Sequence, residues 1–247
     1  MILWFSLAAC LLVSLYLPVL GQQILKRRVI FIDLALAQVA AVGYAIGMAV
    51  DGNGMLYAAA ITAVTVLLLA LLPEESDLPK EAVMGGLYAL AASLGMMVLA
   101  VLPHAEGQMM ELLFGSVLGV NESELSIMAV AGAIALLISK LRHGDHFFGR
   151  IAFYGALAIA VVPAIYAVGV ILVFALLVMP GLAVWREGDN GPALHAVAIA
   201  ALASVCGLFF SNHFDYPPSS AVVVFMAALA LLWRGCWKWR LRMHLRR

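Results

Sequence analysis

The sequence predicts an all-α polytopic membrane protein with about nine transmembrane segments, and three observations predict it. Apolar residues make up 65% of the chain and charged residues only 11%. A soluble domain is nearer half apolar and a quarter charged, so a water-soluble core could not hide this much hydrophobic surface, and a disordered chain is excluded by the same numbers. Apolar runs of the roughly 20 residues that a membrane helix needs recur along the whole chain. Between them the basic residues come in clusters: Lys26, Arg27 and Arg28, then Lys140, Arg142 and Arg150, then a tail with Arg234, Lys238, Arg240, Arg242, Arg246 and Arg247. The net charge is zero, but the placement of the charges carries the information.

The apolar segments fall at about 2–20, 29–50, 54–72, 82–102, 125–141, 151–185, 193–211 and 219–236. The first opens Met1-Ile2-Leu3-Trp4-Phe5 with no basic stretch before it, which argues for a membrane helix over a cleaved signal. The Leu7-Ala8-Ala9-Cys10 string looks like a lipoprotein cleavage box, but the apolar run before it is far too short. The sixth segment is longer than one crossing requires and contains Pro163, Gly169, Pro180 and Gly181, residues compatible with a broken helix. Charge decides its path. Basic loops stay in the cytoplasm, so the first cluster puts the N-terminus outside and the basic tail puts the C-terminus inside. That requires an odd number of crossings: nine if 151–185 crosses twice with a break near Ala167–Gly169, against eight if it crosses once. The acidic loop 103–124 and His213–Asp215 then lie outside. The loop 73–81, with Glu74, Glu75, Asp77 and Glu81 beside Lys80, must be cytoplasmic, and acids count little in this rule. Residues 1–236 form a single transmembrane domain and 237–247 a basic cytoplasmic juxtamembrane tail. Trp233, Trp237 and Trp239 sit where an aromatic belt belongs. The tail should rest on anionic lipid headgroups, at about 1 kcal/mol per basic side chain, and a nucleic-acid partner is not expected.

Few residues carry chemistry. There is no GxxxxGK[ST] loop, no HExxH and no nucleophile elbow, so an enzyme with its own ATPase is not expected. Cys10, Cys206 and Cys236 are far apart and read as small membrane-embedded hydrophobes. His143 and His146 flank Asp145 in a loop that reads as solvated. Gly43-x3-Gly47 and Gly115-x3-Gly119 have the spacing of close helix contacts. Polar residues inside a membrane segment are costly and usually functional, which singles out Asp33 and Gln38 in the second segment. Five residues place them about 140° apart on a straight helix, so they cannot share one tight ligand shell there. Asp33 has two readings, pairing with a basic neighbour near the interface or lining a path. Gln38 has two as well, an amide satisfied by a neighbouring helix or a pore-lining group. His213 and Asp215 could guide a cation, and a capped turn before Pro217 explains Asp215 equally well.

At these residues the sequence resembles the permease subunit of zinc/manganese ABC importers, the ABC-3 family. That family has a Gly, a basic pair, an Asp-x-x-x-His on the next helix and a Gly. Here stand Gly21, Lys26-Arg27-Arg28, Asp33-Leu34-Ala35-Leu36-Ala37-Gln38 and Gly43. Leu113-Phe114-Gly115 resembles the family's Leu-Phe-Gly-Asp. Val168-Gly169-Val170-Ile171-Leu172-Val173 with Met179-Pro180-Gly181-Leu182-Ala183 resembles its Val-Gly-x-Leu-Leu-Val and Pro-Ala-x-x-Ala stretches. Phe210-Ser211 with Asp215-Tyr216-Pro217-Pro218-Ser219 resembles its Ser-x-x-x-Asp-x-Pro-x-Gly-Pro. The matches span about residues 20–230, in order, and the family's relation to cobalamin-type permeases suits a paired-helix reading of 151–185.

The resemblance implies a transmembrane permease subunit of an importer for divalent metal, zinc or manganese, in a bacterial cytoplasmic (inner) membrane. It implies a separate ABC ATPase subunit, an extracytoplasmic metal-binding protein and a second copy of the chain as partners, with the metal as cargo and no cofactor. It places the translocation path at Asp33, Leu34 and Gln38, with Asp33 and Gln38 as the candidate metal contacts. ATPase coupling falls at Arg142, Asp145, Phe147 and Phe148, and an outer entrance at His213 and Asp215. The sequence also departs from the family. Leu34 and Gln38 stand where the family has its metal-contacting Asp and His, and Asp33 is one position off. The coupling loop is short, keeping only Asp145…Gly155 with Phe147 in place of Ala, and Pro218-Ser219 replaces Gly-Pro. Two alternatives follow: a permease of the same fold for a metal chelate or other small substrate, and a membrane scaffold or sensor subunit that does not transport.

Overall fold

The computed structural model describes residues 2–50, 52–71, 80–99, 117–141, 147–186 and 191–244. Among them are nine α-helices: α1 (Ile2–Arg27), α2 (Ile32–Ala49), α3 (Gly54–Leu71), α4 (Lys80–Leu99), α5 (Glu122–Lys140), α6 (Phe147–Val168), α7 (Val170–Val184), α8 (Ala193–Phe214) and α9 (Pro218–His244). A short 3₁₀ turn, Val117–Gly119, precedes α5. Eight of the helices are long and apolar enough to cross a membrane; α7, with 15 residues, is shorter.

The core forms around α1. Ala9, Cys10, Val13, Leu17, Leu20 and Ile24 recur at helical spacing and are all essentially buried, against α5, α6, α7 and α8. Lipid supplies no hydrophobic drive between helices, so small residues and hydrogen bonds hold such bundles together. Ser14 Oγ lies 2.9 Å from Ser204 Oγ on α8 and donates to the Cys10 carbonyl at 2.6 Å. Ser6 Oγ donates to the Val117 carbonyl, and Gln22 Nε2 to the Gly191 carbonyl. A Cβ on Gly21 would strike the carbonyl of Leu177 on α7. The Gly43-x3-Gly47 spacing also marks a real helix contact: a Cβ at Gly43 would lie 2.7 Å from Ala58 Cα, and one at Gly47 2.6 Å from Gly54 Cα, both on α3.

The 151–185 segment is two helices, divided where the sequence predicts. Gly169 has φ 90° and ψ 154°, a conformation that a side chain would strain. The break is stitched by Ser219 Oγ at the start of α9, which donates to the Val168 carbonyl at 3.1 Å. The contacts show where the pair leads. α6 starts beside the C-terminal end of α1, where the Arg27 guanidinium lies 4.4 Å from the Phe153 ring centroid. It finishes beside the N-terminus of α9. α7 returns, with Gly181 against Leu25 of α1. The chain therefore goes out on α6 and back on α7, and the start of α1 and the end of α9 lie at opposite ends of the bundle.

Those ends differ in charge. The end reached by Arg27 also holds Arg28, Arg150, Arg186 and Arg234. Arg150 Nε donates to Ala70 O at the end of α3, and Arg186 and Arg234 line a common cavity. The other end holds the N-terminus of α5, where Asn121 and Glu124 form a capping box, and the Asp215 turn. Several boundaries move from the sequence expectation, two of them with a cause visible in the contacts. α1 runs on to Arg27, because Gln22 finds a backbone partner and Ile24 is buried. α5 starts at Glu122, because the capping box satisfies its first turn. The tail begins as helix, with α9 continuing to His244.

Candidate translocation site

α2 positions the candidate path. It packs against α3, α4, α6 and α7, and its two sides are unlike. One side is closed. Val39 and Val42 pack on Ala91 of α4, and Gly43 and Gly47 admit α3 at backbone distance. At about 100° per residue, Asp33 falls about 40–80° from the Gly43–Gly47 line. It is only 2% exposed, and its Oδ1 has no hydrogen-bond partner among the described residues. The expected pairing of Asp33 with a basic neighbour is therefore not formed: it meets no Lys or Arg among them. Thr62 Oγ1, on α3 one turn past Ala58, is the other buried oxygen there without a partner.

The other side of α2 is open. Phe31, Leu34, Gln38, Ala41 and Met48 fall within about 100° of the helix circumference. Phe31 and Met48 are exposed, and Leu34, Gln38 and Ala41 half-buried; Ala45, in the same stripe, is buried. Leu34 and Gln38 are one turn apart and point the same way. Asp33 is rotated about 100° from Leu34 and 140° from Gln38. α2 is an unbroken helix from Ile32 to Ala49, so Asp33 and Gln38 do not converge. The open stripe offers an amide and apolar groups, with no imidazole, thiol or carboxylate. No cluster of three or more His, Cys, Asp or Glu side chains occurs among the described residues. Toward the C-terminal ends of α2 and α6, Tyr44 meets Tyr166 with ring centroids 5.5 Å apart, and Tyr166 Oη lies 3.4 Å from the Ala40 carbonyl it donates to. None of Thr62, Tyr44 and Tyr166 is singled out in the sequence.

The remaining candidates lie elsewhere. His213 and Asp215 are exposed at the end of α8. Asp215 takes the left-handed conformation, φ 54°, and its N–H donates to the Ser211 carbonyl, closing the helix. Asp tolerates this conformation better than most residues, so the capped-turn account of Asp215 holds. The His213 ring packs edge-on against Phe214. Arg142 and Asp145 lie outside the described residues. Phe147 and Phe148 open α6 at the basic end, in edge contact with each other, and Phe148 is 81% exposed.

Comparison with known proteins places this arrangement. The chain is 23% identical to the manganese transport system membrane protein MntB of Synechocystis, over 90% of this chain and 76% of that one. It is 26% identical to a probable iron transport system membrane protein of Haemophilus influenzae, over 94% of this chain and 90% of that one. Among solved structures, PsaBC from Streptococcus pneumoniae in complex with Fab matches with a TM-score of 0.73 and 19% identity, over 94% of this chain and 91% of that one. The out-and-back helix pair and the bundle of apolar spans are thus a known fold. The family model of the ABC 3 transport family matches residues 1–148 and 145–236, and the chain belongs to the ABC 3 transport family.

Proposed function

We propose that this chain is the membrane-spanning permease subunit of an ABC importer whose cargo is a divalent transition metal of the manganese and iron class, moved as a loosely held or hydrated cation. The observation that carries this reading is the open face of α2, where Leu34 and Gln38 stand at the positions that the family resemblance gives to a metal-binding Asp and His. An amide oxygen is a hard, neutral donor; zinc prefers imidazole and thiolate, while oxygen donors suit manganese. Gln38 has no titration near neutral pH and offers one carbonyl acceptor, so it favours passage over capture. Relatives named for manganese and for iron transport support the same class, and between the two metals expected from the sequence, manganese is favoured over zinc.

Family membership supports the rest of the assembly we propose. Energy comes from a separate ATPase chain and cargo from an extracytoplasmic binding protein. Two copies facing one another across the open sides of α2 would enclose the path. The basic end lies in the cytoplasm, the N-terminus outside, and the exposed Phe148 with the adjoining 142–146 loop docks the ATPase. Asp33 supplies negative charge beside the path, and His213 and Asp215 receive the cation at the outer mouth. A chelate permease is the second reading, favoured by a relative named chelated iron transport system membrane protein YfeD of Yersinia pestis, 25% identical over 63% of this chain.

Uptake of radiolabelled manganese and zinc by a starved strain, with and without the chain, tests the proposal. Chain-dependent manganese uptake with little zinc uptake is the expected result. Equal uptake of zinc would overturn the selectivity argument, and uptake only of chelated metal would support the second reading. No uptake and no ATPase co-purifying with the chain would leave the scaffold alternative standing.

A further inference from the structure

At the basic end of the bundle, away from α2, a cavity of about 80 Å³ opens between the end of α7, the start of α8 and the end of α9. It has room for several water-sized groups. Arg186, Arg234 and His195 line it, with Trp185, Trp233 and Pro192. No carboxylate lines it among the described residues. Pro192, the N-cap of α8, is part of the lining, so the positive end of that helix dipole lies beside the cavity. The His195 and Trp233 rings stand 5.2 Å apart and form one wall. Two guanidiniums, a helix N-terminus and an imidazole around a small concavity make an anion site, and arginine forks match phosphate oxygens.

The surroundings identify the source of the phosphate. Leu194 is 77% exposed, next to His195, and Leu231 and Leu232 are 73% and 65% exposed, just before Trp233. Apolar surface of this kind, directly beside a polar cavity flanked by two tryptophans, is what a lipid tail and headgroup meet together at a membrane interface. We infer that this cavity binds the headgroup phosphate of an anionic phospholipid, with its acyl chains lying on Leu194, Leu231 and Leu232. The lipid then bridges α7, α8 and α9, three elements brought together from distant parts of the sequence. The inference stands apart from the identity of the cargo.

The test is lipid binding to the purified full-length chain, read by native mass spectrometry and by thermal stabilisation in detergent. The probes are phosphatidylglycerol, phosphatidylcholine and inorganic phosphate. Wild-type protein should retain phosphatidylglycerol and gain several degrees of melting temperature from it, with little gain from the other two. The double variant Arg186→Gln with Arg234→Gln should bind phosphatidylglycerol about tenfold more weakly, the loss of a charge-assisted hydrogen bond. Arg246→Gln with Arg247→Gln in the tail should lose no more than about twofold, since that stretch supplies only surface attraction. Arg186 and Arg234 are exposed, and a retained unliganded melting temperature in both double variants confirms folding. Leu231→Asn, which keeps both arginines, should weaken the lipid and leave phosphate unaffected. Equal loss in the tail variant, equal stabilisation by phosphatidylcholine, or equal stabilisation by inorganic phosphate would each overturn the assignment.

Discussion

The two sides of α2 solve different problems with the same eighteen residues. The closed side is built for approach: glycines at 43 and 47 remove every atom between its backbone and α3. The open side is built of larger groups, Leu34, Gln38 and Met48, that the single chain leaves partly uncovered. The acid of the helix lies toward the closed side and the amide on the open side. On the proposed path, charge and contact would therefore be divided between two residues that cannot meet. A site that captured a bare metal ion would need them on one face.

The largest expected effect comes from breaking the closed side. Gly43→Val would push a branched side chain into Ala58 and should cost about 1–3 kcal/mol or more, seen as a lower melting temperature in detergent and reduced yield. Ala41→Val, on the open side of the same turn, should stay within about 0.5 kcal/mol. Equal losses would mean that a second element covers the open face. The next effect sharpens the chemistry of the open side. Leu34→Asp with Gln38→His places a carboxylate and an imidazole one turn apart and should raise zinc affinity while slowing metal release. Isothermal titration and uptake, measured on the same preparation, check both halves; unchanged zinc binding would show that these positions do not face a common space. A smaller effect is expected at Asp33. Asp33→Asn replaces a buried carboxyl whose Oδ1 has no hydrogen-bond partner among the described residues, so the protein should fold at least as well, while uptake should fall several-fold. Wild-type uptake would remove Asp33 from the path.

How far the sequence led depended on whether a feature was local. Eight segments were legible from apolar runs, and the ninth, through the break at Gly169, from a glycine inside a segment too long for one crossing, combined with the parity of the basic clusters. The Gly43-x3-Gly47 spacing pointed to a helix contact but is a weakly specific signal in a chain with 21 glycines, while Gly21, noted as part of the resemblance, and Gly181, read also as a helix-breaking residue, lie at contacts of α1 with α7. The end of α1 was misplaced because hydropathy falls at Gln22 and Gln23, although Gln22 is tied to Gly191 across the bundle. The start of α5 was missed although Asn121 and Glu124 spell a capping box. The 140° between Asp33 and Gln38 was computable, but which of them faced inward was not, because that depends on α3, α4 and α6. The Arg186–Arg234 cavity was invisible in sequence, since it joins three elements that share no motif.

The central claim is that the path follows the Leu34–Gln38 face of α2 and not the Asp33 face. Single cysteines at 34, 38 and 33 in a chain whose native cysteines are replaced by serine or alanine test it directly. Transport in membrane vesicles is measured before and after a small charged thiol reagent applied from the outer side. The account predicts that Gln38→Cys is modified and its manganese uptake blocked, that Leu34→Cys is modified more slowly, and that Asp33→Cys is protected. Rapid modification at 33 with protection at 38 would contradict it.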